Sequence, residues 1–212
     1  MIEVLISAFV TFFVVIDPPG CAPIFASLTD GTSAAHQRRM AIKSVGIATG
    51  VLLFFALLGE PLLRALGISL DAFRVAGGIM LFLIAIDMVF EKRTERRQSR
   101  AEEVAKRADG GLEAEDISVF PMAIPMIAGP GSIASVMLLT ARSDGWVETA
   151  GVFAALALIL LMTLAALLAA GPLMRKLGHN LEAMITRLLG VILAALAAQF
   201  VIDGIRRSFG LG

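Results

Sequence analysis

A chain of 212 residues that is 58% hydrophobic, with 13 Phe and no Tyr, has too little polar surface to wrap a core in water. A soluble domain is excluded, and an integral membrane protein is expected. The formal net charge of +0 gives no global attraction to nucleic acid, and the single cysteine, Cys21, excludes an internal disulfide.

Apolar runs cover residues 2–28, 41–58, 72–90, 117–140, 147–170 and 183–205. Each approaches the ~20 residues that carry a helix across about 30 Å of hydrocarbon. The runs are continuous and do not alternate, so six transmembrane helices are predicted rather than a barrel. The first run lacks a basic leading region and a small-x-small cleavage site, and it is read as a span, not a signal peptide. Asp17-Pro18-Pro19-Gly20 interrupts it. Ile2 to Ile16 would rise about 22 Å before that break and leave a half-helix reaching Leu28. Proline removes a backbone donor and glycine permits unusual backbone geometry, so the helix should break at membrane depth.

The third span carries Arg74, three residues from Asp71, near its start and Asp87 near its end. Residues 91–116 alternate in charge and contain Gly110-Gly111, the pattern of a solvated, partly helical linker. In the fourth span Ile117 to Ala128 would rise about 18 Å as helix before Gly129-Pro130-Gly131, and Ser132 to Thr140 would complete the crossing. Gln199 lies in the sixth span, 112 positions after Asp87.

A constant offset of 111 relates the two breaks and much else. Pro19-Gly20 maps onto Pro130-Gly131, Leu28-Thr29 onto Leu139-Thr140, and Pro61-Leu62-x-Arg64-x-Leu66-Gly67 onto Pro172-Leu173-x-Arg175-x-Leu177-Gly178. Ser69-x-Asp71 maps onto Asn180-x-Glu182, a helix N-cap with an acid in the first turn. An ordered series of this kind argues for duplication. A repeat with an odd number of spans must insert its second copy in the opposite sense. The expected architecture is therefore all-α, two inverted three-helix repeats (residues 1–90 and 117–212) joined by the linker 91–116, with helices 1 and 4 broken. The loops after spans one, three and five hold 13 Lys and Arg against 5 on the other side, which predicts a cytoplasmic linker and both termini outside.

Paired Gly/Pro breaks in inverted repeats mark midplane substrate sites in secondary transporters. Half-helices starting near Cys21 and Ser132 would aim positive dipole ends inward and favour an anion. Asp17, a carboxylate at a depth where charge costs about 2.5–3.5 kcal/mol, would receive an ammonium group, a coupling cation or a proton. The competing reading makes Asp17 a cap on the second half-helix. The substrate set is Asp17, Pro18, Pro19, Gly20 and Cys21 from one half, with Gly129, Pro130, Gly131 and Ser132 from the other. Together they suit a small zwitterion such as a neutral amino acid. Asp87, Arg74, Gln199, Ser27, Thr29, Ser135 and Thr140 are candidates for the pathway or for H⁺ or Na⁺ coupling. For Arg74 the simpler partner is Asp71, and Ser and Thr often bond back to their own helix. Gly77, Gly78 and Gly190 read as close-packing positions, and small-residue faces allow a homo-oligomer.

Other classes fit less well. Two intramembrane aspartates suggest a protease dyad, yet Asp87 sits in Ala-Ile-Asp-Met and Asp17 precedes two prolines. His36 and His179 have no metal-ligand spacing, no cofactor motif is present, and no Gly-x-x-x-x-Gly-Lys-Ser/Thr supports ATP-driven transport. A non-enzymatic transporter is expected, with a non-transporting membrane scaffold as the alternative.

Three stretches carry a family resemblance: Ile16-Asp17-Pro18-Pro19-Gly20-x-x-Pro23-Ile24-Phe25; Phe73-Arg74-Val75-Ala76-Gly77-Gly78-Ile79 with Phe82-Leu83-Ile84-Ala85-Ile86-Asp87; and Phe120-Pro121-Met122-Ala123-Ile124-Pro125-Met126-Ile127-Ala128-Gly129-Pro130-Gly131. The chain resembles the MarC family of integral membrane proteins along essentially its whole length. The resemblance implies six spans in a bacterial inner or archaeal membrane and a distant relation to LysE-type amino acid exporters. It also implies a link, in some members, to transport of glycine, alanine and other small neutral amino acids. Members usually carry Asn at the position of Cys21 and often an aliphatic residue at that of Pro19. The chain thus lacks an amide at one expected contact and has a stiffer first break.

Overall fold

The computed structural model describes residues 2–90, 116–143 and 145–210, with residues 2–3, 172–183 and 185 described by backbone alone. The linker, but for Asp116, lies outside the described residues. The elements are α1 (Ile2–Ile16), α2 (Pro18–Leu28), α3 (Ala34–Ala65), α4 (Leu70–Val89), α5 (Ser118–Ile127), α6 (Pro130–Ala141), α7 (Trp146–Leu168) and α8 (Ala170–Ser208). No strand occurs among the described residues.

Local chemistry sets several boundaries. Ser33 and Ser69 accept from the amides of His36 and Ala72 at 3.3 and 3.1 Å and so cap α3 and α4. Past the end of α3, Gly67 takes φ 71°, and Ile68 donates its amide to the Leu63 carbonyl at 2.9 Å. That left-handed turn closes the helix and re-satisfies its last carbonyls.

Five helical stretches are long and apolar enough to cross a membrane, and the bent pair α5–α6 makes six. Phe54, Leu57, Leu161, Leu188 and Val191 face outward. In water so many exposed large apolar groups would be a liability, whereas in a bilayer they face lipid.

The helices α4 and α8 pack antiparallel along their length through glycines. A Cβ on Gly78 would lie 2.7 Å from Val201, one on Gly190 2.9 Å from Met88, and one on Gly204 2.9 Å from the Asp71 carbonyl. The second broken span lies against α4 in the same way, with Gly77 near Leu138 and Gly131 near Leu81 and Ile84. Two ion pairs fix its direction. Asp116 meets Lys43 at the end where α3 begins, and Arg142 meets Asp203 at 3.3 Å at the end where α8 finishes. The second broken span therefore runs antiparallel to the first.

Three expectations need correction. Residues 118–127 do not form a regular α-helix: Phe120 and Ile124 have extended backbones (φ −130°, ψ 128° and φ −128°, ψ 124°), and the hydrogen bonds that close the segment reach back five residues. Pro121 and Pro125 are the cause, because the ring of each pushes the preceding residue out of the helical region. The breaks also differ in kind. Asp17 interrupts a span that continues as one 25-residue unit, whereas α5 and α6 meet at 53°. Finally, α8 runs unbroken from Ala170, so Asn180 has no helix start to cap.

Asp116 also accepts from the Ser118 amide at 3.1 Å and from the Ser118 hydroxyl. The bond from Lys43, followed by those from Ser118, lowers its carboxyl from 3.8 to about 2. A depressed carboxyl contributes stability above its unfolded value and loses it as pH falls toward the folded one. Both partners are nearly half exposed, so the contribution stays under about 1 kcal/mol. The gap in thermal midpoint between the wild type and Asp116→Asn in detergent is expected to be constant from pH 7 to 5 and to shrink from pH 4 toward 2. A gap that ignores pH would mean the pair stabilises nothing.

Candidate functional site: two unlike breaks meeting at one level

At the first break Asp17 is buried and takes a left-handed conformation, φ 58° and ψ 65°. A non-glycine residue tolerates that region best when its short polar side chain can bond locally. The Asp17 side chain does so, accepting from the Gly20 amide at 3.1 Å through Oδ1. Gly20 lacks a Cβ where the carboxylate lies; one built there would come within 2.7 Å of the Asp17 Cγ. Cys21, fully buried, donates its amide to the Asp17 carbonyl at 3.0 Å and its thiol to the Ile16 carbonyl at 3.4 Å.

This bonding revises the prediction for α2. Pro18 and Pro19 have no N–H, and the amides of Gly20 and Cys21 are both taken by Asp17. The start of α2 offers no amide to an anion. What the first break presents instead is the negative, C-terminal end of α1 together with a buried carboxylate. Pro18 also removes the amide that the Val14 carbonyl would have accepted.

The second break has the opposite character. Gly129 precedes α6 with an extended backbone and no side-chain cap. A Cβ on Gly129 would collide with the Pro125 carbonyl, so only glycine lets α5 turn into α6 there. Pro130 is exposed, Gly131 and Ser132 are buried, and the Ile133 amide closes the first turn on the Gly129 carbonyl at 3.0 Å. Among the described residues the amides of Gly131 and Ser132 have no acceptor. The α6 N-terminus is therefore open and positive. The ends meet, for a Cβ on Gly131 would lie 3.1 Å from Val15 Cγ1 of α1 and 2.7 Å from Ile84 Cδ1.

The remaining candidates scatter. Pro18 and Gly20 are buried beside Asp17, and Pro19 is half-buried. Buried Arg74 pairs with Asp71 at 2.6 Å. Gln199 is exposed and donates to Asp203 at 2.7 Å. Asp87, half-buried, lies toward the other end of the α4–α8 pair, where Gly190 meets Met88. Arg74 and Gln199 are thus engaged by acids of their own helices, whereas Asp87 lies within one helical turn of Ile84, the α4 residue that packs on Gly131. Ser27 is exposed, while Thr29 and Thr140 bond back to the Phe25 and Val136 carbonyls at 2.8 Å. Ser135 is fully buried, and its hydroxyl has no hydrogen-bond partner among the described residues. Thr11 shares that property and went unnoticed in the sequence, where a single Thr in an apolar run gives no signal. A cavity of about 370 Å³ lies apart from both breaks, between α1 and α7, lined by Leu5, Ile6, Phe9, Ala154, Ala155 and Leu158. Among the described residues no three His, Cys, Asp or Glu gather as metal ligands.

Comparison with known proteins places the chain. The profile of the family described as MarC family integral membrane protein matches residues 2–209. A UPF0056 membrane protein of Methanocaldococcus jannaschii is 37% identical over 205 residues, covering 97% of each chain. The UPF0056 membrane protein YvbG of Bacillus subtilis is 34% identical over 99% of this chain and 97% of its own. For the UPF0056 membrane protein YhcE of Escherichia coli the identity is also 34%, over 95% of this chain and 91% of the relative. No solved structure matches.

Proposed function

We propose that this chain, which belongs to the MarC family of integral membrane proteins, is a secondary carrier of small neutral amino acids such as glycine or alanine. The observation that carries the reading is the contact between Val15 and Gly131. It sets the negative end of α1, with buried Asp17 two residues on, beside the open positive end of α6. Charges of opposite sign at adjacent helix ends match the ammonium and carboxylate of one small zwitterion. The packing around Gly131 leaves little room for a side chain, which favours the smallest substrates.

Alternating access follows from two inverted repeats rocking against each other, and the helix neighbours support such a pairing. The broken span α1–α2 packs on α7, while α5–α6 packs on α3, so each broken span leans on the unbroken second helix of the other half. The distribution of basic residues supports a plasma-membrane protein with the 91–116 linker in the cytoplasm and both termini outside. Coupling to H⁺ or Na⁺ would complete the cycle, and no enzymatic step is needed.

The test is counterflow. Purified protein in liposomes loaded with unlabelled glycine or alanine is expected to accumulate the labelled amino acid, and empty liposomes are not. A folded, correctly inserted protein that carries none of a panel of neutral amino acids would overturn the reading in favour of a membrane scaffold.

A further inference from the structure

Hydroxyls buried in a helix ordinarily satisfy themselves on the carbonyl one turn back. Here Thr29, Ser44, Thr49, Thr140 and Thr163 do so at 2.7–2.8 Å. Thr11 and Ser135 do not: both residues are 0% exposed, and neither hydroxyl has a partner among the described residues. A buried polar atom without a partner is unfavourable and calls for a specific explanation.

Their positions supply one. Thr11 lies one helical turn before Val15 on α1, and Ser135 lies one turn after Gly131 on α6. The two helices run antiparallel, with Val15 and Gly131 in contact. Thr11 and Ser135 therefore fall at the same level of one seam, a turn away from the breaks. On α6, Ser135 shares a face with Gly131 and Ser132, whose amides have no acceptor among the described residues. Donors accumulate here: two open amides at a helix start, and hydroxyls from both sides of the seam.

We propose that Thr11 and Ser135 are substrate-binding residues that donate hydrogen bonds to the carboxylate of the solute, extending the anion site at the start of α6. This rests on the carrier reading above. The hydroxyls are held dry in the closed seam of this conformation and reach the carboxylate when α6 moves away from α1. If they were packing groups alone, substitution would leave the KM and the stabilisation by glycine unchanged.

The experiment compares wild type, Thr11→Val, Ser135→Ala and the double variant in glycine counterflow, together with thermal midpoints in detergent with and without glycine or glycinamide. Each single variant is expected to raise the KM for glycine about tenfold or more. Thermal midpoints without ligand should stay level or rise, because an unpartnered hydroxyl has been removed. Thr11→Ser should restore the wild-type KM. Glycine, but not glycinamide, should stabilise the wild type, and the double variant should lose that shift. Wild-type KM values and an intact glycine shift in the variants would overturn this assignment while leaving the carrier reading intact. A wild type that neither transports nor is stabilised by any of a panel of neutral amino acids, glycine and alanine included, would overturn both.

Discussion

Alanine at position 20 is expected to lower glycine counterflow about 10- to 100-fold, because a binding carboxylate displaced by about 1 Å loses its productive geometry. The added methyl would occupy the space of the Asp17 carboxylate, coming within 2.7 Å of its Cγ. The carboxylate must then leave the Gly20 amide, its bond across the start of α2. Loss of an N-cap costs about 1 kcal/mol of stability, so Gly20→Ala should lower the thermal midpoint modestly and still insert. Asp17→Asn separates charge from capping, because its side-chain oxygen can still accept from Gly20 while the negative charge is gone. If Asp17 receives the solute's ammonium group, Asp17→Asn abolishes counterflow with little change in thermal midpoint. Near-normal transport by Asp17→Asn would reduce the residue to a cap, and the defect in Gly20→Ala would then be one of backbone shape.

Much of this architecture was legible in the sequence because hydrophobic length and Pro/Gly interruptions are local signals. The six apolar runs and the breaks at Asp17 and Gly129 needed no tertiary information. The character of the breaks was less legible, although the means were present. Pro18 and Pro19 carry no amide, so α2 could not have offered the anion site that α6 offers. Pro121 and Pro125 each dictate an extended predecessor, which the apolarity of Ile117 to Ala128 concealed. The basic residues around Arg175 look like a loop, yet Lys and Arg are good helix formers, and nothing in a charged sequence forces a helix to end at the hydrocarbon boundary. Thr11 and Ser135 stand at the limit of such reading. Whether a hydroxyl bonds to its own helix or is held away from it depends on neighbours that only the fold supplies.

The helix pair α4–α8 carries the largest stability prediction. In a bilayer, helices gain nothing from hiding apolar surface from one another, so their association rests on close contact of backbones and side chains. Gly78 provides that contact at the middle of α4: a Cβ there would lie 2.7 Å from Val201 Cγ2, 2.9 Å from the Ala197 carbonyl and 3.0 Å from the Val201 amide nitrogen. The valine tip could rotate aside, but the carbonyl and amide belong to the backbone of α8 and can retreat only if the whole helix moves. Gly190 repeats the arrangement from α8, facing Met88 and the Ala85 carbonyl at 2.9 and 3.1 Å. Gly78→Ala is expected to cost about 1–3 kcal/mol, the usual scale of overpacking. Gly78→Leu should exceed that range and separate the helices, giving aggregated protein on size exclusion. As a control, Gly46→Ala on α3, where a Cβ meets nothing within 4 Å, should be neutral or slightly stabilising. Equal thermal midpoints for Gly78→Ala and Gly46→Ala would mean that α4 and α8 can part without loss, and that the close approach at Gly78 contributes nothing to the stability of the fold.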